Sequence, residues 1–519
     1  NMQTIQILWV DDEVDLLKPH FLFLQSRGYQ THPCTNGQEA LSMVKQQHFD
    51  VVLLDENMPG LNGLETLGQL KQIIPHVPVV MITKNEEEHI MEEAIGSKIS
   101  DYLIKPVNPN QILLCLKKLL QHKNLVAEKT IQNYQQEFRK IALTLNELHT
   151  HNEWADFYEK MVFWEQELEQ LEDPSMFEIF EMQMKEANQL FAKFIEHNYE
   201  DWLKQTLPAP TLSHNLLDRE VFPRLKSKQP TLLIVIDNLR WDQWKGIAQH
   251  IGDYYALTEE KKYFSIIPTA TQYARNAIFS GLTPLEMSKT HPEWWRNDTD
   301  EGGKNLYEKE FLKAQLQRKN IALAWSYHKI RNLSEGKQLV KTFQNHTQEQ
   351  LTVIVYNFVD MISHAKTEME IIKELAADNK AYRSLTKSWF ANSPLLEIIQ
   401  KAASHKFNLL LTTDHGTVNV GSPSSLIGDR ETSQNLRYKT GRDLTYESKD
   451  VMACQAPEEM QLPRLALNSQ FVFAKEDNYF VYPKNYNHFA KLFQNSFQHG
   501  GISMEEMIIP FVVMSPKSQ

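Results

Sequence analysis

The sequence predicts an α/β multidomain protein in which two α/β segments are separated by a helical bundle. Short apolar runs alternate with amphipathic stretches in residues 1–122, and the same alternation returns in residues 211–519. Between them, residues 123–210 carry apolar side chains at three- and four-residue spacing, which is the period of a helix. A chain of 519 residues is too long for one hydrophobic core. We therefore predict three domains with these boundaries.

The amino-acid composition limits the classes of protein to which this chain can belong. A hydrophobic content of 42% is that of a globular chain. The formal net charge of -12 argues against binding of nucleic acid or anionic membrane by the whole surface, although a local basic pocket stays open. The 3 cysteines form no CxxC pair, which indicates a reducing compartment. Because neither a signal-peptide pattern nor an apolar run of about 18 residues occurs, we expect a cytoplasmic protein without membrane insertion.

The first segment contains five strand candidates with helical patterns between them. They are IQILWV, YQTHP, VVLLD, VPVVMIT and DYLIK. Such units predict a doubly wound parallel sheet, in which ligands bind at the carboxyl ends of the strands. Those ends carry Asp11, Asp12, Asp55, Thr83 and Lys105. Three converging carboxylates repel one another unless a lysine or a divalent cation neutralises them, and Mg²⁺ is the usual cation for oxygen ligands.

The residues at these strand ends make the segment resemble a two-component receiver domain over essentially its whole length. The resemblance implies that a sensor histidine kinase is a partner and that Asp55 accepts a phosphoryl group. Thr83 and Lys105 would contact that group, and Tyr102 would be the aromatic residue of the switch. Lys84 departs from the pattern, because many receivers carry a small residue there. The implied Mg²⁺ ligands are Asp11, Asp12, Asp55 and the carbonyl of Asn57.

The middle segment carries three apolar stripes at helical spacing. They run over residues 131–148, 154–171 and 177–194. The phase restarts at HTHNE and at EDPS, where Asn152 and Ser175 can serve as N-caps. Three short amphipathic helices predict a small antiparallel bundle, whose aromatic residues we interpret as core rather than as a ligand pocket.

The residues that follow the receiver-like segment do not resemble a DNA-binding module. The bundle is acidic, as in EKMVFWEQELEQLEDP, and the chain that follows it is far longer than a helix-turn-helix domain. The stretch TLPAPTLS, residues 206–213, is rich in Pro and Thr and is typical of a linker.

The third segment places metal-binding side chains at strand ends. Carboxylates and imidazoles in this mixture suit Zn²⁺, with Mn²⁺ open, and they are enough for two metal ions. Gly416, next to two of them, is expected to permit a turn of the chain. The candidates are Asp237, Asp360, His364, Asp414, His415 and His499, with Thr271 near the start of a helix.

Thr271 has two interpretations. At a helix N-terminus, backbone N–H groups favour an anion, and a metal on the hydroxyl would lower its pKa and make it a nucleophile. Alternatively it is an ordinary N-cap. Thr269 is a nearby competitor for the nucleophile.

The order of these residues resembles the alkaline phosphatase superfamily, and the words VIDNLRWDQW, PTATQYARN, RYKTGRD and HGGISMEEMIIP resemble its PglZ domain. The three segments together are similar to PorX-type response regulators, which are associated with type IX secretion in Bacteroidetes. A threonine nucleophile in this superfamily implies a phosphodiester substrate. One implied metal site is Asp237, Thr271, Asp414 and His415; the other is Asp360, His364 and His499.

The sequence also contains candidates for contacts with a substrate. Arg275, Lys439 and Arg442 are candidates to hold a phosphate, with a solvated surface loop as the alternative. Trp241, Trp244 and Tyr273 could stack on a base or pack in the core. We expect a short linear or cyclic oligonucleotide. Residues 283–345 fit no simple unit and are expected to form a cap over the site.

Two functions from different classes follow. The first is a response regulator that dimerises on phosphorylation of Asp55 and whose output domain is a zinc-dependent phosphodiesterase with Thr271 as the nucleophile. The second is a signalling scaffold that binds a sigma factor or another transcription factor, with a metal that is only structural.

Overall fold

The computed structural model describes residues 4–84, 99–206, 208–357, 376, 378–430 and 432–518. Contacts between residues divide the chain into two units, residues 1–134 and residues 135–519. The helical bundle and the third segment therefore share one unit. None of the described helices is long and apolar enough to cross a membrane.

The first unit is built on the doubly wound parallel sheet that the sequence predicts, with strand order β2-β1-β3-β4-β5. The three inner strands β1, β3 and β4 are mostly buried on both faces, as expected when helices cover a parallel sheet. Side chains of β1 alternate between two core clusters, one with Leu8 and Val10 and the other with Ile7 and Trp9. The elements are β1 (Ile5–Val10), α1 (Lys18–Gln25), β2 (Tyr29–Cys34), α2 (Gly37–Gln46), β3 (Val51–Asp55), α3 (Gly63–Ile73), β4 (Val79–Thr83) and β5 (Asp101–Ile104).

The helices that follow are longer than predicted. Helix α4 (Pro109–Leu145) has 37 residues and runs without a break through the predicted domain boundary at residue 122. No Gly or Pro follows Pro109 in this stretch, so nothing in the sequence interrupts the helix. Helices α5 (His151–Glu169) and α6 (Ser175–Lys204) complete the bundle. The prediction of three short helices is therefore wrong in length, although the bundle itself is present.

Both predicted N-caps are displaced. Thr150 caps α5 and forms a capping box with Glu153, whereas Asn152 lies inside the helix. Pro174 takes the N-cap position of α6, and Ser175 is the first helical residue. The stripe of α5 does pack in the core, as predicted, because Trp154, Phe157 and Met161 are buried; these are three of its members.

The predicted linker is packed rather than open. The N–H of Phe264 donates to the carbonyl of Thr211 at 3.0 Å, and the N–H of Ile266 donates to the Ser213 hydroxyl at 3.0 Å. Ser213 is fully buried. This proline-containing stretch is therefore a packed segment and not an open linker between two independent domains.

The second unit is organised by a six-stranded sheet of order β7-β19-β10-β6-β9-β8. The four strands β10, β6, β9 and β8 are parallel, and β19 is antiparallel to both of its neighbours. Parallel strands direct their carboxyl ends to one edge of the sheet, where ligands bind in open α/β sheets. The six strands are β6 (Thr231–Ile236), β7 (Tyr255–Phe264), β8 (Trp325–Ile330), β9 (Leu351–Tyr356), β10 (Asn408–Thr412) and β19 (Ile508–Pro516).

Helices and small sheets surround this central sheet. The helices are α7 (Trp241–Ile251), α8 (Thr271–Ser280), α9 (Pro284–Thr290), α10 (Glu308–Arg318), α11 (Leu333–Thr342), α12 (Asn379–Ala391), α13 (Pro394–Ser404), α14 (Tyr486–Phe493) and α15 (Met504–Met507). The short strands are β11 (Val418–Asn419), β12 (Ser422–Ile427), β13 (Tyr438–Gly441), β14 (Thr445–Tyr446), β15 (Val451–Cys454), β16 (Gln470–Ala474), β17 (Asn478–Val481) and β18 (Phe497–Gln498).

The segment 283–345, predicted to be a cap, is mostly regular structure. It supplies helices α9, α10 and α11 and the edge strand β8 of the central sheet. Strand β8 has the sequence WSYHKI, and most of its residues are only half-buried. Such a polar edge strand lacks the apolar run that identified the other strands, and this explains why the sequence analysis missed it.

Candidate active site

Three of the predicted metal ligands meet at the carboxyl edge of the central sheet. Strands β6 and β10 are neighbours with Val235 paired to Thr412, so the residues two positions further along each strand lie side by side. Asp237, Asp414 and His415 are buried, and each offers one ligand atom within 4.8 Å of the others. The prediction that these strand ends converge is confirmed by their geometry; whether they bind a metal stays a prediction.

Thr271 lies at this cluster as the first residue of α8. Its hydroxyl is 3.2 Å from Asp237 Oδ1, to which it donates, and 3.1 Å from His415 Nε2. Ala270 occupies the N-cap position, so the interpretation of Thr271 as a plain N-cap does not hold. Thr269 is committed elsewhere: its hydroxyl donates to the Gly501 carbonyl at 2.8 Å and accepts from the Gly500 N–H at 3.0 Å.

The two imidazoles of the site are stacked and neutral. The rings of His415 and His499 lie 4.2 Å apart with an angle of 24° between their planes. Nδ1 of His415 is 3.0 Å from the Gly416 carbonyl, and Nδ1 of His499 is 2.9 Å from the Thr269 carbonyl. Because a carbonyl only accepts, each Nδ1 carries the proton and each Nε2 keeps its lone pair. Burial lowers the pKa of both, that of His499 to about 4, with the neighbouring His415 as a second cause.

One carboxylate oxygen of the site lacks a partner. Asp414 Oδ1 accepts from the N–H groups of Asn238 at 3.0 Å and His415 at 2.9 Å. Asp414 Oδ2 is buried and has no hydrogen-bond partner within the described part of the chain. Burial, and then the charge of Asp414, raises the pKa of Asp237 to about 6. A buried oxygen of this kind is costly unless a cation is bound to it.

The sequence also predicted ligands that cannot be located here. Asp360 and His364 lie outside the described residues, and with them most of the second predicted metal site. Of that set, the structure describes His499 alone.

Arg275 does not match its predicted role as a phosphate binder. Its side chain is buried, and Nε donates to Glu308 Oε1 at 2.5 Å. Nη1 donates to Asp237 Oδ1 at 3.3 Å and lies 3.8 Å from Asp414 Oδ2. The guanidinium is therefore committed to carboxylates of the protein, and Arg275 is a counter-ion behind the site.

The other two phosphate candidates differ from each other. Lys439 is buried, its Nζ donates to the Ser433 carbonyl at 3.0 Å, and burial lowers its pKa to about 8. Arg442 is half-exposed, and its Nε donates to Asp429 Oδ2 at 3.2 Å, as expected of the surface-loop alternative.

The aromatic residues proposed to stack on a base are core residues. Trp241, Trp244 and Tyr273 are at most 1% exposed. The indole N–H of Trp244 donates to Glu260 Oε2 at 2.9 Å, and the Tyr273 hydroxyl donates to Asp298. The packing alternative is the correct one for all three.

Three polar residues near Thr271 were missed by the sequence analysis. Asn305 donates from Nδ2 to the Thr271 carbonyl at 3.0 Å. Asp298 accepts from the hydroxyls of Tyr273 and Tyr438, the latter at 2.7 Å, and Glu308 holds Arg275. Asn305 and Asp298 follow no strand, and Glu308 begins a helix, so nothing in the pattern distinguished them from surface residues.

Gly416 is required for a reason other than a turn. Its φ is not in the left-handed region. A Cβ at this position would lie 1.9 Å from the Glu505 carbonyl oxygen. The glycine therefore permits the backbone of residues 504–507 to approach the residue that follows His415.

The first unit carries a second acidic cluster at its own sheet edge. Asp11, Asp12 and Asp55 each offer a ligand atom within 4.8 Å of the others. Lys105 Nζ donates to Asp11 Oδ2 at 2.9 Å and to Asp55 Oδ2 at 3.0 Å. Burial raises the pKa of Asp55, while Lys105 acts in the opposite sense. The lysine that the sequence offered as one way to neutralise three carboxylates does contact two of them.

The remaining predicted residues of this cluster are in less direct contact with Asp55. The Thr83 hydroxyl donates to the carboxylate of the buried Glu56, a residue that the sequence analysis missed. The N–H of Asn57 donates to Asp55 Oδ1 at 3.4 Å. The Tyr102 side chain is 39% exposed, and Lys84 lines a cleft of 420 Å³ beside Lys105.

Comparison with known families gives three matches in chain order. Residues 7–117 match the response regulator receiver domain, and residues 124–203 match the PorX response regulator linker domain. Residues 216–514 match the BREX system PglZ alkaline phosphatase-like domain, which is more than half of the chain.

Two similar individual proteins each match about a quarter of this chain. The transcriptional regulatory protein ZraR of Klebsiella oxytoca is 34% identical over 24% of this chain and 28% of its own length. The transcriptional regulatory protein SrrA of Staphylococcus aureus is 30% identical over 22% of this chain and 48% of its own length. This chain thus spans less than half of either relative.

Two similar solved structures match a comparable share of the chain. The chemotaxis protein CheY4 of Vibrio cholerae is 27% identical, covers 22% of this chain and 99% of its own, and gives a TM-score of 0.22. The receiver domain of NtrX from Brucella abortus is 30% identical, covers 22% of this chain and 98% of its own, and gives a TM-score of 0.21.

Proposed function

From the premise that this chain belongs to the PglZ family of alkaline phosphatase-like domains, we propose that it is a response regulator whose output domain is a zinc-dependent phosphodiesterase. Its receiver, PorX-type linker and PglZ domain follow one another in the order of a PorX-type response regulator. The observation that carries the proposal is the position of the Thr271 hydroxyl, 3.2 Å from Asp237 Oδ1 and 3.1 Å from His415 Nε2.

The donor set fits a zinc ion. Asp237, Asp414 and His415 offer carboxylate and imidazole atoms within reach of one another, and Asp414 Oδ2 is a buried oxygen without a hydrogen bond. Thr271 would complete this set, while His499 would join Asp360 and His364 at a second ion. Bound zinc would supply positive charge that lowers the pKa of the threonine hydroxyl and stabilises charge on the phosphate oxygens.

The residues of the chain then have distinct tasks. Thr271 Oγ1 attacks phosphorus in line with the leaving alkoxide, and its proton moves towards Asp237 Oδ1. The bond from phosphorus to the leaving oxygen breaks, and the released alkoxide takes a proton from water. The product on the protein is a phosphodiester that joins Thr271 to the rest of the substrate, and water hydrolyses its bond to Thr271 in a second step. Backbone N–H groups in the first turn of α8 favour the anionic phosphate beside Thr271.

The substrate that we propose is a linear or cyclic oligonucleotide. Support comes from the threonine nucleophile, which in this superfamily is typical of enzymes for diesters. The two candidate base-stacking tryptophans are buried in the core, so recognition of a base has to come from other residues. Arg275 is likewise committed to Glu308 and Asp237, which leaves the phosphate to the helix N-terminus and to the metal.

Regulation is proposed to begin at Asp55. A sensor histidine kinase phosphorylates it, Mg²⁺ binds at Asp11, Asp12 and Asp55, and phosphorylation favours a homodimer. The cluster supports this because Lys105 already lies 3.0 Å from Asp55 Oδ2, where it can pair with an added phosphoryl group. The proposed cellular setting is the cytoplasm, and the proposed process is type IX secretion.

The decisive experiment compares Thr271→Ala with Thr271→Ser. Hydrolysis of bis(p-nitrophenyl) phosphate by the zinc-loaded full chain is expected to fall by about 10³-fold or more in the alanine variant, because the nucleophile is lost. The serine variant keeps a hydroxyl and is expected to retain measurable turnover. Zinc content by metal analysis serves as the control for folding of the site.

A scaffold predicts a different result. If wild-type protein holds zinc but hydrolyses no diester, and Thr271→Ala changes nothing, the output domain is a binding module. Capture of a sigma factor or another transcription factor would then be the function to test.

A further inference from the structure

A residue of the helical bundle contacts the output domain close to the predicted metal ligands. Asn188 lies on α6 and is buried. Its Oδ1 accepts from the N–H of Met504 at 2.9 Å, and its Nδ2 donates to Glu505 at 3.1 Å from Oε2 and 3.3 Å from Oε1. Both polar atoms of the amide are thus used on the short helix α15.

One path leads from α15 to His415. The N–H of Gly416 donates to the Glu506 carbonyl at 2.9 Å, and a Cβ on Gly416 would lie 1.9 Å from the Glu505 carbonyl oxygen. The carbonyl of Gly416 in turn accepts from His415 Nδ1 at 3.0 Å. A displacement of α15 therefore moves the group that orients the His415 ring.

A second path leads from α15 to His499. The Glu506 carboxylate accepts from the N–H of Gly501 at 3.1 Å and is held by Arg437, with Nη2 2.8 Å from Oε2. The Gly500 and Gly501 backbone bonds the Thr269 hydroxyl, and the Thr269 carbonyl accepts from His499 Nδ1 at 2.9 Å. The two imidazoles, stacked on each other, therefore share one support.

We infer that Asn188 is a positioning residue of the bundle that sets the geometry of His415 and His499 through α15. This inference rests on the proposed function, in which the two imidazoles bind zinc. Groups that orient metal-binding imidazoles typically change metal affinity by 10- to 100-fold when they are lost. The bundle is thus part of the support of the catalytic site as well as a connection between domains.

The test reverses the direction of the hydrogen bond between Asn188 and Glu505. Asn188→Asp keeps the shape and the acceptor for Met504 but removes the donor and sets a carboxylate against Glu505. Adding Glu505→Gln restores the bond with its direction reversed, because the new amide donates to the new carboxylate. Asn198→Asp is the matched control, since Asn198 lies on the same helix and its Nδ2 donates to the Phe194 carbonyl at 2.8 Å.

Zinc affinity, measured by competition with a chromophoric chelator, is the first readout. Asn188→Asp is expected to lower it by about 10-fold or more, and the double variant to restore it to within about threefold. For bis(p-nitrophenyl) phosphate, kcat falls in the single variant while KM changes by less than about twofold, since ring geometry and not substrate binding is altered. Asn198→Asp leaves zinc affinity and kcat unchanged.

Some results would contradict the positioning role of Asn188, and one would separate it from the proposed activity. Wild-type zinc affinity in a folded Asn188→Asp protein overturns the inference, as does a double variant that regains thermal stability without regaining zinc affinity. If Asn188→Asp does not fold, Asn188→Ala, which removes both bonds without adding charge, is judged by the same criteria. If wild type hydrolyses no diester but the zinc pattern appears, the positioning role stands and the proposed activity alone fails.

Discussion

The chain contains two acidic clusters at the carboxyl edges of parallel strands, and they differ in how their charge is neutralised. In the receiver, Lys105 lies within 3.0 Å of both Asp11 and Asp55, and Asp12 is exposed to water. In the output domain, Arg275 lies 3.3 Å from Asp237 and 3.8 Å from Asp414, but its closest partner is Glu308 at 2.5 Å. The first cluster has a cation of its own, and the second shares its cation with a third carboxylate.

This difference indicates what each site needs. A cluster that is already paired with a lysine does not need a metal for neutralisation. It can therefore bind an ion weakly and exchange it, as a switch requires. A buried cluster with one unpartnered oxygen is unfavourable until a cation is bound, which suits a metal that stays in place. Four substitutions test this difference between the two clusters, beginning with the largest expected effect.

Replacement of Arg275 tests whether it is a structural counter-ion. In zinc-free protein, Arg275→Met is expected to lower the free energy of unfolding by about 3–5 kcal/mol, because it leaves Glu308 buried without its main partner. Arg442→Met is the matched control, with an expected change within about 0.5 kcal/mol for a half-exposed pair. Urea unfolding followed by tryptophan fluorescence measures both. Equal losses in the two variants would remove the counter-ion role.

Replacement of Asp414 tests the demand for a metal. Asp414→Asn is expected to weaken zinc binding by at least about 100-fold, or roughly 2.7 kcal/mol, because a charged ligand oxygen is lost. Without zinc, the same variant is expected to be no less stable than wild type, since a buried carboxylate that repels Asp237 has been removed. Chelator competition and thermal unfolding provide the two values, with Asp429→Asn as a surface control. A variant with wild-type zinc affinity would contradict the assignment.

Replacement of Lys105 tests the self-neutralised receiver cluster. In metal-free buffer at neutral pH, Lys105→Met is expected to cost about 1–3 kcal/mol of local stability, because Asp11 and Asp55 lose their common donor. Added Mg²⁺ is expected to recover part of the loss. Hydrogen exchange of peptides from β3 and β4 reports the change, and Lys118→Met, with an exposed lysine 3.8 Å from Asp101, is the control. No response to Mg²⁺ in the variant would argue against a cation site.

The pH dependence of Asp55 gives the smallest effect. Burial raises the pKa of this carboxyl, so its contribution to stability is present below the ordinary carboxyl pKa and is lost as the pH rises through the raised value. In metal-free buffer, Asp55→Asn is therefore expected to be more stable than wild type at neutral pH. The advantage disappears towards pH 4 and below in the same hydrogen-exchange measurement. An advantage that is constant over pH would show that charge is not its cause.

The sequence predicted the parts of the molecule in which local pattern and topology agree. Strands β1, β3 and β4 of the receiver, like β6 and β10 of the output domain, are apolar runs that stop at polar residues, so Asp237, Asp414 and His415 could be placed at one edge. Parallel topology alone then brings them together. The structure adds a reason to choose Thr271 over Thr269, because Thr269 is committed to Gly500 and Gly501.

What sequence reasoning missed depends on contacts between distant segments. The sequence indicates Arg275 as a phosphate-binding candidate or part of a solvated loop, and it does not reveal the actual partner, Glu308, which lies 33 residues away in a segment without a strand-like pattern. Asn188 and Glu505 are 317 residues apart, and neither stands out in its own helix. Apolar spacing predicts which face of an element is buried but not which polar residue across the interface meets it.

The position of β19 in the central sheet has a consequence for synthesis of the protein. Strand β7, residues 255–264, pairs only with β19, residues 508–516, among the described strands. At a translation rate of about 5–20 residues per second, β7 waits on the order of ten seconds to a minute for its partner. The receiver strands end at residue 104 and the buried core that covers them ends at Leu116, so this domain can close during this time. On each ribosome, the receiver can thus be folded while the central sheet of the output domain is still incomplete. The unpaired edges of its strands then depend on protection.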